Sequence, residues 1–275
     1  MLIRIGHRPN PDDAFMFWAL SAGEVDTRGL EFEPSAECIE ALNLWAREGR
    51  FEVTALSVNA YPAVQNDYVL LPHGASMGSG FGPVVVSQEP LARERLREIE
   101  IAVPAATTTS FLILRMYLGG DFRYQVVRSA EILEQVKSGR AEARLVTEES
   151  LLTYRDEGLT KSIDLGEWWL LETGLPLPLT VNVARRDLGP RLQDVSSVIR
   201  DSILAGLRSR RRAMAYALRF GRSSDASITD RFVGMYVNER SFDFGDEGRQ
   251  AIAELLRRAQ AIGTFDRPVK IEFAA

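Results

Sequence analysis

Four segments of this 275-residue chain gather side chains that can do chemistry. The first is Pro104-Ala105-Ala106-Thr107-Thr108-Thr109-Ser110. Four consecutive hydroxyl residues follow a strand pattern and open a helix pattern, so their N–H and O–H groups can cradle a carboxylate or phosphate. One of them must cap the helix, which leaves the others for a ligand. The second segment is Thr147-Glu148-Glu149-Ser150. A glutamate there either favours a helix N-terminus or, in an enclosed cleft, serves as a general base.

The third segment is Gly6-His7-Arg8-Pro9-Asn10-Pro11-Asp12-Asp13. Asp12 or Asp13 is a good N-cap, and the prolines before them fit a helix start. The other reading places His7, Arg8 or Asn10 at a cleft, because loops after strand C-termini line the sites of open α/β sheets. The fourth segment, residues 74–83, contains Gly78, Gly80 and Gly82 in a G-x-G-x-G pattern. A strand pattern follows it, where a dinucleotide fingerprint would open a helix, so it reads as a hinge or cleft-lining loop.

Composition narrows the chemistry further. The only cysteine is Cys38 and the only histidines are His7 and His73. An intrachain disulfide is impossible, cysteine-based zinc sites are excluded, and no metal site is expected. The net charge of −5 predicts no nucleic-acid surface. No G-x-S-x-G motif supports a serine hydrolase. The basic residues Arg208, Arg210, Arg211 and Arg212 read as a solvated helix face. The first apolar run is too short for a signal-peptide core, and none approaches the roughly 20 residues that span a bilayer. The expectation is a cytoplasmic protein without a membrane partner.

Alternating elements must position these segments. Strand patterns fall at residues 2–5, 53–58, 68–71, 83–87, 100–103, 124–127, 143–147 and 180–184. Helix patterns fall at residues 14–22, 38–48, 107–118, 131–139 and 148–157. This alternation predicts an α/β protein built from βαβ units, with a parallel sheet covered by helices. From residue 187 onward the chain reads as nearly all helical, over residues 197–220, 227–236 and 245–261. Two segments, residues 87–90 and 173–178, look like crossings between lobes. They predict a discontinuous domain, 1–87 plus 178–275, with a second domain, 88–177, inserted. Two α/β lobes joined in this way form a clamshell with a central cleft for a ligand.

Several of these segments together resemble the MqnA/MqnD family of menaquinone biosynthesis. They are residues 6–17, Ala41-Leu42-Asn43 with Trp45-Ala46, Leu56-Ser57, Gly80-Phe81-Gly82-Pro83 and Thr108-Thr109. Asp164-Leu165-Gly166-Glu167-Trp168-Trp169, residues 173–179 and residues 184–189 complete the set. The nearer branch is similar to the 1,4-dihydroxy-6-naphthoate synthases. The resemblance implies a two-lobed periplasmic-binding-protein-like (type II) fold. It also implies a lyase of the futalosine pathway that converts cyclic de-hypoxanthine futalosine to 1,4-dihydroxy-6-naphthoate. No cofactor and no metal are implied.

Family chemistry removes a proton from the cyclic substrate and opens its spiro ring system, which requires a base in the cleft. The resemblance implies that Ser57, Thr108 and Thr109 contact the ligand. Thr107, Ser110, Asn10 and Arg8 are further candidates to hold a small carboxylate substrate. The family pattern begins His-Glu where this chain has Glu148-Glu149, so Glu148 stands in place of the family's histidine as candidate base, with His7 the other candidate. Two alternatives remain open: a non-enzymatic binding protein for a small carboxylate, and a chorismate dehydratase of the same superfamily.

Overall fold

A computed structural model describes residues 1–127 and 141–274. The helix expected over residues 131–139 therefore lies outside the described residues. Two mixed sheets carry the architecture. In the first, β2 (Glu31–Ala36), β1 (Leu2–His7), β3 (Val53–Ser57), β11 (Leu177–Arg185) and β4 (Tyr68–Leu70) lie side by side, with β5 (Ser76–Gly78) also paired to β11. In the second the order is β10 (Thr160–Asp164), β6 (Val84–Ser87), β9 (Ala143–Val146), β7 (Ile101–Val103) and β8 (Tyr124–Val126).

Periodicity explains most of these strands. All five residues of β3 are buried, as expected of a strand with structure on both faces. Alternation near the start of β1 gives way to burial from Ile5 to His7, where the strand runs toward the cleft. The expected parallel pairing holds for part of each sheet, and the rest is antiparallel. β1 pairs in parallel with β2 and β3, and β7 with β8 and β9. The strand returning from the second sheet, β11, runs antiparallel to β3, β4 and β5, and β6 runs antiparallel to β9 and β10.

The chain passes from β5 to β6 across residues 79–83, and back from β10 to β11 across residues 165–176. Residues 84–87, read from the sequence as the end of the first domain, thus form a strand of the second sheet. The Gly-rich segment supplies close packing at this passage. A Cβ on Gly82 would stand 2.8 Å from the backbone nitrogen of Gly166, at the start of the helix Leu165–Thr173. The same segment contains β5, which the glycines masked in the sequence.

Helix α1 (Pro11–Ser21) starts after Asn10, with Pro11 in its first turn. Its residues from Pro11 to Ala19 are buried. Ser202 Oγ of the later helix Leu192–Arg208 donates to the Met16 carbonyl, 2.8 Å away. Helix α2 (Ile39–Ala46) packs beside β3, α3 (Arg93–Glu98) leads into β7, and α4 (Thr109–Leu118) ends on Gly119 at φ 81°, a left-handed cap that suits glycine.

The helix expected over residues 148–157 shrinks to one turn, α5 (Ser150–Thr153). Helix α6 (Leu165–Thr173) is capped by the Asp164 carboxylate, which accepts from the N–H groups of Gly166 and Glu167. Trp169 of α6 is fully buried and donates through Nε1 to the Pro176 carbonyl, 3.1 Å away. The long helix expected over residues 197–220 starts earlier and breaks at Ser209, giving α7 (Leu192–Arg208) and α8 (Arg210–Ala217). Helices α9 (Ala226–Tyr236), α10 (Glu239–Phe242) and α11 (Gly245–Ala261) complete the helical end.

One apolar core joins the two sheets. Val85 and Ile101 of the second belong to the same buried cluster as Leu56, Val181 and Val183 of the first. A separate core fills the space under α1, around Phe15, Phe17, Ile199 and Ile203. Among the described residues, no helix is long and apolar enough to cross a membrane.

Candidate active site

A cavity opens between the two sheets, the kind of inter-lobe position where small-ligand sites are usually found. The first sheet's side contributes Arg8, Asp12, Ser57, Ser76, Thr180 and Tyr236. The second side contributes Pro104, Thr108, Thr109, Ser110, Thr147 and Glu148. Six residues singled out in the sequence thus meet here: Arg8, Ser57, Thr108, Thr109, Ser110 and Glu148.

The hydroxyl run does two jobs. Thr108 is the N-cap of α4: its Oγ accepts from the Phe111 N–H and donates to the Ala105 carbonyl. Thr109 Oγ donates to the Leu179 carbonyl, 2.7 Å away, and accepts from the Asn59 N–H. Both threonines line the cavity while their hydroxyl protons stay committed to the fold. Thr107 is exposed and outside the cavity lining, and its carbonyl accepts from Asn59 Nδ2. What faces a ligand is therefore Ser110 and the first N–H groups of α4, which have no intrahelical acceptor.

Ser57 is held from behind. Its N–H donates to Asn43 Oδ1 at 2.9 Å, and its Oγ accepts from Asn43 Nδ2 at 3.0 Å. This pairing leaves the Ser57 hydroxyl proton for a ligand acceptor. In the sequence Asn43 stands out only as part of the Ala41-Leu42-Asn43 motif. Its signal as a supporting residue is an amide at a buried position of the amphipathic helix α2.

The loop after β1 forms a buried ionic cluster. The Arg8 guanidinium reaches Asp12 Oδ2 at 2.6 Å and Ser76 Oγ at 2.9 Å, and also pairs with Asp13. Its backbone N–H donates to Asp13 Oδ2 at 2.7 Å. Burial works against the Arg8 charge, but Asp12 and Asp13 more than offset it and raise its pKa. Burial raises the Asp12 carboxyl too, helped by Asp13 and opposed by Arg8 and Ser76. Asp12 Oδ1 is buried with no hydrogen-bond partner. The expected helix capping by Asp12 or Asp13 is corrected, because the N-cap is Asn10 without a side-chain cap and both carboxylates serve Arg8 instead.

His7 is not brought to the cavity. Its Nδ1 donates to the Arg8 carbonyl at 2.8 Å, and its ring packs on Phe17 and Phe220. Asn10 also lies outside the lining, but its Nδ2 donates to Glu148 Oε1 at 3.0 Å. The other Glu148 oxygen meets the Arg222 guanidinium at 2.9 Å. Glu148 has φ 61°, a left-handed conformation that costs a non-glycine residue about 1–2 kcal/mol. Its two partners, both from the first sheet's side, hold the side chain in that pose. The neighbouring Glu149 is buried and accepts from the Arg222 N–H and the Thr229 hydroxyl, each at 2.6 Å. Residues 148–149 therefore bind across the cleft. Among the described residues no group of three or more side chains could hold a metal ion.

A family model described as menaquinone biosynthesis matches residues 3–261. A 1,4-dihydroxy-6-naphthoate synthase of Thermus thermophilus is 40% identical, with 95% of each chain covered. One from Streptomyces coelicolor is 36% identical, covering 95% of this chain and 94% of that one. A solved protein of Archaeoglobus fulgidus superposes with a TM-score of 0.91 at 37% identity, over 96% of this chain and 98% of the other. A Candida albicans protein described as having the generic periplasmic binding protein fold superposes at 0.72 with 14% identity, over 97% and 92% of the two chains. That last likeness concerns the fold, which is two-lobed and α/β as the resemblance implied. A match along nearly the whole chain, carried by relatives well above 30% identity, places this protein in the menaquinone-biosynthesis family.

Proposed function

We propose that this protein is a 1,4-dihydroxy-6-naphthoate synthase, a lyase that acts on cyclic de-hypoxanthine futalosine in the cytoplasm. The observation that carries this reading is the position of Glu148. A carboxylate lies in the cavity wall on a strained backbone turn, and both of its oxygens are engaged from the opposite side. Glu148 takes the proton whose removal starts the opening of the spiro ring. Ser57, Ser110 and the N-terminal N–H groups of α4 hold the substrate's acceptor oxygens, the carboxylate among them. The contacts of Glu148 and Glu149 across the cleft close the cavity against water while the proton moves.

Turnover of cyclic de-hypoxanthine futalosine by the purified protein tests this. The expected result is formation of 1,4-dihydroxy-6-naphthoate, with kcat reduced roughly 10²–10⁴-fold in Glu148→Gln, the range of general base catalysis. Tight binding of the substrate without product would show a binding protein instead. Loss of water from chorismate would show a dehydratase.

A further inference from the structure

Proton removal by Glu148 and substrate holding by Ser57 and Ser110 leave one ionisable group of the opposite wall, Asp12, without a role. Asp12 lines that wall and is fully buried. Its Oδ2 accepts from Arg8 at 2.6 Å and from Ser76 at 2.9 Å. Its Oδ1 has no partner in the protein. A buried ionised oxygen left in this way is costly. The cost is relieved when Oδ1 carries a proton and can donate it to a bound ligand.

The local charge count points the same way. One guanidinium, Arg8, faces two buried carboxyls, Asp12 and Asp13. One carboxylate is matched and the second is in excess, so the cluster holds a proton more readily than an isolated aspartate does. The charged and titratable groups around Asp12 are Arg8, Asp13, the Tyr236 hydroxyl and, beyond Arg8, Glu148. Burial, and after it Asp12, raises the Tyr236 pKa, so that phenol stays neutral and does not compete as an acid.

We propose that Asp12 is a second catalytic residue, the general acid that works against the base Glu148 from the other wall of the cavity. This inference rests on the synthase reading above. Glu148 takes a proton from the substrate, and the electron pair of the broken bond forms a new π bond. The ring bond breaks, its electron pair goes to the departing atom, and that atom takes the proton from Asp12 Oδ1. Glu148 ends protonated, and Asp12 ends ionised beside Arg8 and Ser76, which are already in place to stabilise it. Exchange with water resets both, and no oxidant or reductant is needed. Two carboxyls in different environments on one site are a recurrent way to divide acid and base roles.

The test is the pH dependence of kcat/KM in the full-length protein. The wild type is expected to give a bell-shaped profile. Asp12→Asn is expected to lose the alkaline limb and roughly 10²-fold in kcat, while affinity for 1,4-dihydroxy-6-naphthoate stays within about three-fold. Asp12→Glu, which keeps a carboxyl in the cluster, retains an alkaline limb at a shifted position. A folded Asp12→Asn enzyme that keeps its rate or its alkaline limb overturns the assignment. Infrared spectroscopy at neutral pH decides the matter independently of turnover. A protonated-carboxyl band that persists in Glu148→Gln and shifts in Asp12→Glu supports the proposal, and its absence from the wild type overturns it. A wild type that shows the band but does not turn over the substrate refutes the synthase reading and leaves the proton on Asp12 standing.

Discussion

Buried ionisable side chains in this protein survive by finding partners, and their separate environments give them different uses. Arg8 pairs with two aspartates, Glu149 takes two donors from across the cleft, and Glu148 meets an amide and a guanidinium. His73 takes another course. It is buried with Nε2 hydrogen-bonded to Ser196 Oγ at 3.0 Å and Nδ1 unpartnered. Burial, with Arg200 nearby, pushes its pKa down to about 3 from 6.5. Between those two values the unfolded chain binds a proton that the folded chain refuses, so stability rises with pH there. Unfolding free energy is expected to fall as pH drops below about 6.5, with a His73 contribution approaching 1.4 kcal/mol per pH unit in that window. Denaturant melts of the wild type and His73→Asn across pH 4–7 measure it. The gap between the two proteins should close or reverse toward acid, and parallel curves would refute the assignment.

At the scale of elements, the passage between the sheets is held by backbone contact. Gly82 meets the first turn of α6, where a Cβ would come within 2.9 Å of both the backbone nitrogen and the Cα of Gly166. Neither atom can move without displacing the helix that Asp164 caps and Trp169 anchors. Gly82→Ala is therefore expected to cost about 1–3 kcal/mol, the usual range for overpacking. A thermal melt checks it, and an unchanged midpoint would show that the passage yields. The basic stretch of the helical end behaves as its solvated pattern implies: Arg210 pairs with Asp230 and Arg212 with Glu24, all on the surface. Such exposed pairs contribute little to stability.

At the scale of the whole molecule, the two sides of the cavity are tied by the segment that carries the candidate base. Glu149 receives the Arg222 N–H and the Thr229 hydroxyl from the far side, next to the Glu148–Arg222 pair. Hydrogen bonds to a buried charge contribute about 1.5–3 kcal/mol. Removing them from a closed, ligand-binding arrangement is expected to weaken ligand affinity roughly ten-fold or more. Glu149→Ala should raise the Kd for 1,4-dihydroxy-6-naphthoate by that factor and enlarge the ligand-free radius of gyration in small-angle scattering. An unchanged Kd and radius would show that these contacts do not hold the lobes together. The same contacts let one short segment set both the position of Glu148 and the closure of the cavity.

The order of residues by itself determined the alternation of strands and helices, the hydroxyl run at the start of α4 and the helical end after residue 187. Those features rest on local periodicity, caps and turns. It was less informative about β2, where Pro34 interrupts an exposed edge strand, and about β5, hidden among glycines. Which side chains reach the cavity was decided only in the tertiary structure. His7 and Arg8 are neighbours in the chain, yet one turns to Phe17 and the other to Asp12 and Ser76. Asn10 and Glu148 meet across 138 positions. The facing of a loop side chain and the charge state of a buried carboxyl depend on partners supplied by distant segments, and those partners exist only once both sheets are packed around the cavity.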